Sequence, residues 1–235
     1  AVVDYTAKLR YRLTASVGRR RWGRFPLGSV EEQDATITWQ QPNDLRVDVI
    51  GRRAKTRSGI PPMSSTFDRP WFVPRSVGDS VRIFSNEFPA TGALHPLAAD
   101  GPAWYRYELT DSLTANIPGG HRIRIYAVEF TPRRPGPALL VGRLWLDAGT
   151  AEVVRLTFRY VGTELWVRPG DEDAHDSTSA RRINRLVNGI VSIDADLEYA
   201  LEEGRFWMPF RQTIAGQVRI PLTDIVVPFQ ALTSF

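Results

Sequence analysis

Apolar and polar residues alternate with a period of two along much of this chain. Between residues 5 and 17 the apolar positions are Tyr5, Ala7, Leu9, Tyr11, Leu13, Ala15 and Val17, with Thr6, Lys8, Arg10, Arg12, Thr14 and Ser16 between them. Successive side chains of a strand point to opposite faces, so this spacing predicts a long strand with one buried and one wet side. Ala35, Ile37 and Trp39 repeat the pattern, and the turn residues Pro42, Asn43 and Asp44 lead on to Leu45, Val47 and Val49. That combination predicts a hairpin.

The second half carries the same signal. Residues 139–147 and 152–160 flank the short connection Asp147-Ala148-Gly149-Thr150-Ala151, which suits a hairpin. Val191, Ile193, Ala195, Leu197, Tyr199 and Leu201 alternate against Ser192, Asp194, Asp196 and Glu198, and Glu202-Glu203-Gly204 then turns the chain into Phe206, Met208, Phe210 and Ile214. The last four are expected on one apolar face. Residues 81–84, 104–109 and 121–131 predict further strands, the last two joined through Ile117-Pro118-Gly119-Gly120, while residues 52–70 and 85–102 read as long loops. Only residues 179–188 have helical spacing, with Ile183, Leu186 and Val187 on one side and Gly189 as a stop. The expected fold is mainly β. It is a single large curved antiparallel sheet or half-open β-barrel, with long loops and about one short helix, and residues 1–235 form one domain.

Composition narrows the chemistry. A chain of 235 residues with 43% hydrophobic and 11% aromatic residues is long enough to bury a core without staples. Cysteine is absent, which removes thiol catalysis, zinc–thiolate sites and disulfides. The net charge is +4, and Lys8 and Lys55 are the only lysines, so arginine supplies almost all the positive charge. Acidic residues are interspersed with these arginines, a pattern that argues against a nucleic-acid surface. No apolar run reaches the length of a membrane helix, and the longest candidate, residues 138–146, is broken by Arg143. No signal peptide opens the chain, which fits the soluble part of a longer anchored protein, peripheral to a membrane.

Several clusters are candidates for chemistry. His95, His121 and His175 have no second His nearby, so no metal site is expected from them. The acidic run Asp171-Glu172-Asp173-Ala174-His175-Asp176 lacks the spacing of a calcium loop and suits a helix N-terminus better. Asp194, Asp196 and Glu198 share a strand face, where they are either a solvated side or the carboxylates of a glycan or ester hydrolase. No nucleophile elbow, phosphate loop or dinucleotide fingerprint is present, and no cofactor is expected. Arg19, Arg20, Arg21, Trp22 and Arg24 end the first strand, either as a basic hairpin loop or as an anchor for a partner or an anionic membrane. Arg52, Arg53, Lys55 and Arg57 form a second basic stretch. Trp39, Trp104, Trp145, Phe206 and Phe210 supply the aromatic groups for a hydrophobic ligand site, unless loops cover that face.

Two stretches carry a family likeness. Val141-Gly142-Arg143-Leu144-Trp145-Leu146-Asp147 with Thr150-Ala151-Glu152-Val153-Val154-Arg155-Leu156, and Gly204-Arg205-Phe206-Trp207-Met208-Pro209-Phe210-Arg211-Gln212, resemble strands of bacterial envelope proteins. These proteins share the half-open barrel of the lipoprotein-carrier (LolA/LolB-like) superfamily, and some uncharacterised relatives are associated with the outer membrane. The resemblance covers residues 105–212. It implies a periplasmic location and a curved sheet able to hold an acyl chain or dock a partner. The expected function is a non-catalytic envelope module that either holds a lipid or other hydrophobic ligand on a concave sheet or serves as an accessory subunit of a membrane protein complex. The competing expectation is the carboxylate hydrolase.

Overall fold

A computed structural model describes residues 4–16, 18–19, 27–40, 44–56, 70–73, 80–81, 93–117, 121–136, 139–161, 190–219 and 225–235. The strands are β1 (Asp4–Ser16), β2 (Gly18–Arg19), β3 (Leu27–Gln40), β4 (Asp44–Thr56), β5 (Ser80–Val81) and β6 (Ala93–Leu94). After the short helix α1 (Gly101–Trp104) come β7 (Tyr105–Ile117), β8 (His121–Pro132), β9 (Leu140–Asp147) and β10 (Val153–Tyr160). The chain ends with β11 (Ile190–Glu202), β12 (Phe206–Arg219) and β13 (Ile225–Ser234). One antiparallel sheet runs β4-β3-β1-β13-β12-β11-β10-β9-β8-β7, with β2 attached to β13. Among the described residues the sheet is open, with β4 and β7 as its two edges, and the mainly-β expectation holds.

The two halves are joined by the C-terminal strand. β13 sits between β1 and β12, so the N-terminal hairpins and the C-terminal strands share one ladder. β4 is longer than the sequence pattern suggests and reaches Thr56, and β7 runs on to Ile117. The described helix, α1, lies in a stretch read as the end of a loop, whereas the helical spacing of residues 179–188 falls outside the described residues.

Most of the long strands bury their apolar positions on one face, while Ile50, Leu109, Leu113 and Phe210 stay exposed. Leu9, Leu13, Ile37, Leu144, Leu156, Ile193, Leu197 and Ile214 are all buried on that face. Single-residue bulges interrupt the ladders at six described places, among them Ile50 in β4, Thr110 in β7 and Phe210 in β12. The bulge in β12 changes one expectation. Glu198 pairs with Arg211 and Tyr199 with Pro209, leaving Phe210 as the extra residue. Pro209 has no N–H to offer a ladder, which suits a bulge at this point. Trp207 and Pro209 therefore face the core with Gln212 and Ile214, while Phe206 and Met208 turn to the other side.

Two groups of residues cover the buried face. The first is the segment 70–73, all four residues of which are buried. It lies over a row of polar side chains that spans four neighbouring strands. Gln33, Tyr11, Thr233 and Gln212 are successive cross-strand partners from β3 through β1 and β13 to β12. Gln212 donates from Nε2 to the Val73 carbonyl at 2.7 Å and accepts the Val73 N–H at 2.8 Å. Thr233 donates to the Trp71 carbonyl at 3.2 Å, and the Trp71 backbone donates to the Tyr11 hydroxyl. Between these anchors Trp71 packs edge-on against Phe229 and Phe72 against Phe235. Phe229 itself lies over Gly216, where an added Cβ would come within 2.6 Å of its ring.

The second cover comprises β5, β6 and the turn ahead of α1, lying over the β7–β10 end. Tyr160 donates to the Val81 carbonyl at 3.3 Å, and Tyr105 donates to Leu94 at 2.8 Å while accepting the Leu140 N–H at 3.1 Å. Tyr107 adds a bond to the Pro96 carbonyl. His95 closes this turn. It is 1% exposed, its Nδ1 accepts the Leu97 N–H at 2.9 Å, and burial pushes its pKa down to about 4.

Two outcomes follow from these anchors. Gln212→Leu keeps the shape but strands the N–H and C=O of Val73, so urea denaturation should show a loss of about 3 kcal/mol; an unchanged midpoint would mean that segment 70–73 does not need the amide. His95 is neutral when folded, so its contribution is complete above its ordinary pKa of 6.5 and is lost as pH falls through about 4. Stability should drop by about 3 kcal/mol between pH 7 and 4 from this group. His95→Asn, which keeps an acceptor for Leu97, should flatten that part of the pH profile, and equal slopes in the two proteins would contradict the assignment.

Candidate functional site

The face opposite the core is built from arginine and carboxylate side chains in register. Arg10 meets Asp34 across β1 and β3, and Arg12 meets Glu32, which also binds Arg53 of β4. Arg143 of β9 pairs with Glu129 of β8. Opposite charges facing each other across a ladder are mutually stabilising, by about 0.2–1 kcal/mol per pair. A second set of pairs lies on β10–β12, where Arg155 and Arg159 of β10 meet the acidic positions of β11, and β13 between the two sets carries no charged residue.

This second set holds the three carboxylates read from the sequence. Asp196 takes Arg155 in a two-pronged bond, Nε to Oδ1 at 2.9 Å and Nη2 to Oδ2 at 2.6 Å. Asp194 takes Arg159 at 2.6 Å, and Glu198 takes Arg211 at 2.9 Å with Arg155 at 3.9 Å. The hydrogen bond to Asp196 in turn raises the affinity of the Arg155 guanidinium for its proton. A general acid needs a carboxyl kept protonated by burial or by a second carboxylate. Here each carboxylate instead faces a guanidinium, the arrangement of a structural ion-pair network.

Small side chains in the same region leave an open groove of about 580 Å³. Val141, Thr157, Thr213 and Ala215 form its floor, with the pairs Arg143–Glu129 and Arg159–Asp194 at its sides. Gly142 lets β9 and β10 approach here, since a Cβ would press on the Thr157 carbonyl and lie 2.8 Å from the Phe158 Cα.

The five aromatics proposed for a hydrophobic site do not share one face. Trp39 is buried in the core and stacks on Tyr5 at 5.7 Å. Trp104 ends α1 under the Arg134 guanidinium, 4.4 Å from its ring. Trp145 lies on the charged face between Arg143 and Arg155, at 5.7 and 5.2 Å. Phe206 is half-buried beside Arg205, and Phe210 at its bulge is 51% exposed. Of the basic cluster, Arg19 is the last residue of β2, paired with Ile225 of β13. Arg20, Arg21, Trp22 and Arg24 lie outside the described residues. Among the described residues no three acidic or histidine side chains gather as metal ligands, and no helix is long and apolar enough to cross a membrane.

Sequence reading passed over the anchors of the buried face. Gln212 stands at an inward position between Trp207 and Ile214, and Ser29, Glu31 and Gln33 continue the inward positions of Ala35, Ile37 and Trp39. A polar side chain at an apolar position is a signal for a buried hydrogen-bonding partner. Its partner, 139 residues away in the case of Val73, cannot be read from spacing.

No family model and no curated protein matches the chain. Among solved structures it is similar to a LolA superfamily protein from Nitrosomonas europaea, at 8% identity over 97% of this chain and 86% of that one, with a TM-score of 0.25. It is also similar to MucB, at 12% identity over 96% of this chain and 86% of that one, TM-score 0.24. A third likeness is to the MucA/MucB complex from Pseudomonas aeruginosa, at 12% identity over 96% and 88% of the two chains, TM-score 0.21. At these identities the likeness concerns the fold alone.

Proposed function

We propose that this protein is a non-catalytic docking module of the bacterial envelope that engages a protein partner through its outward surfaces. The observation that carries the reading is the covering of the buried face. Trp71, Phe72 and Val73 occupy the side of the sheet on which an acyl chain would lie, and side chains from the sheet bond their backbone. A lipid would have to displace three buried residues and orphan those bonds. The envelope setting rests on the sequence resemblance of the β9–β10 hairpin and of β12. The hydrolase reading loses support because Asp194, Asp196 and Glu198 are each engaged by arginine.

Purification of the full chain from native membranes, without detergent stripping, tests this directly. A stoichiometric protein partner and no co-purifying lipid is the expected result. Recovery of the chain alone with bound lipid would transfer the function to the buried face. Hydrolysis of envelope glycans or esters that disappears in Asp196→Asn would restore the enzyme reading.

A further inference from the structure

The sheet ends on β4 and β7, and the two edges differ. β4 carries Arg46, Arg52, Arg53 and Lys55 and is interrupted by the bulge at Ile50. Charges and bulges of this kind protect an edge from strand addition. β7 is 13 residues long and, among the described residues, has a strand, β8, on one side only. Its residues 108–114 are all exposed, with Leu109 at 63% and Leu113 at 45%. From Ser112 to Asn116 it has no charged residue.

The bulge at Thr110 also reverses the faces of the β7–β8 hairpin. Tyr105, Tyr107 and Leu109 lie on the core side, paired toward Phe130 and Val128. Beyond Thr110, whose hydroxyl bonds the Ala127 carbonyl at 3.2 Å, Leu113 faces Ile125 and Ala115 faces Ile123 on the opposite side. β9 pairs with β8 only from Ile125 to Phe130, so the hairpin runs past the end of that ladder with apolar residues on its outer side.

Among the described residues, Arg106, Glu108 and Asp111 of this edge form no ion pair, and Glu108 is placed least favourably. Glu108 is directly opposite Glu129, an unfavourable cross-strand pair. Arg143 takes Glu129, and among the described residues Glu108 has no ion pair. A cation on an added strand would lie across from Glu108 and relieve the repulsion.

We propose that the β7 edge takes an extended segment of a protein partner as an additional strand. The segment would place a Lys or Arg opposite Glu108 and apolar side chains opposite Leu109 and Leu113. Backbone hydrogen bonds supply affinity in this mode, and alternate side chains supply selection. This rests on the docking reading and names its surface.

A synthetic extended peptide alternating Lys with Val and Thr serves as the probe, titrated into the isotope-labelled full chain. Amide hydrogen exchange read by NMR should slow along β7, and the same peptide with alternate N-methylated residues should have no effect. Glu108→Lys should weaken the Lys peptide by about fivefold and accept a Glu-for-Lys version instead. A melting temperature of Glu108→Lys equal to or above that of the parent chain confirms that the fold is intact, since a lysine there faces Glu129. Slowing confined to β4 or to the groove, or equal binding of the N-methylated peptide, would overturn the assignment. Slowing of β7 that rises with protein concentration alone would give the edge to a second copy of this chain, which also overturns it. A stoichiometric membrane partner recovered alongside any of these failures would leave the docking reading standing without this surface.

Discussion

A segment without regular structure can cross an apolar sheet face only if its backbone N–H and C=O groups find partners there, because an orphaned buried amide costs about 1–3 kcal/mol. In this protein the partners are the side chains of Gln212, Thr233 and Tyr11, aligned on adjacent strands and reaching Trp71 and Val73. Every one of them occupies an inward position where an aliphatic residue would otherwise stand. The polar row thus gives up some apolar area on the sheet and fixes where the segment lies. Trp71 and Phe72 then return apolar surface to the same face, packed against Phe229 and Phe235.

With that face closed, the character of the molecule is decided by its other side and its edges. The outward face is an array of arginines and carboxylates matched across strands, so it is strongly polar yet nearly compensated in charge. This explains how a chain with almost exclusively arginine cations avoids a single basic surface. Trp145 belongs to the array, held between two guanidinium groups. The groove at its centre and the open strand β7 interrupt an otherwise self-satisfied surface.

Much of this fold was legible in the sequence. Alternation located β1, the end of β3 and β9–β11, and turn residues located the connections β3–β4, β7–β8, β9–β10 and β11–β12. The bulges were less legible, because one inserted residue reverses every later side chain while leaving the local composition unchanged. Phe210 shows the consequence: Phe206 and Met208 share its sequence parity with Ile214, yet they face the opposite side. In β8 the reversal is visible in retrospect, since the apolar positions shift from Phe130 and Val128 to Ile125 and Ile123. The ion pairs required register. Arg155 and Asp196 are 41 residues apart, and nothing local in either strand marks the match. Gln212 stood within a stretch read for family likeness, but its task depends on a loop far earlier in the chain.

The most direct test of the account is native-state hydrogen exchange at the Val73 amide, which Gln212 alone accepts at 2.8 Å. If segment 70–73 is a fixed cover, that amide exchanges only with global unfolding, as slowly as the amides of β1 and β13. Exchange orders of magnitude faster than those strands would mean that the cover opens readily. The buried face would then be accessible to a hydrophobic ligand, contrary to the reading advanced above.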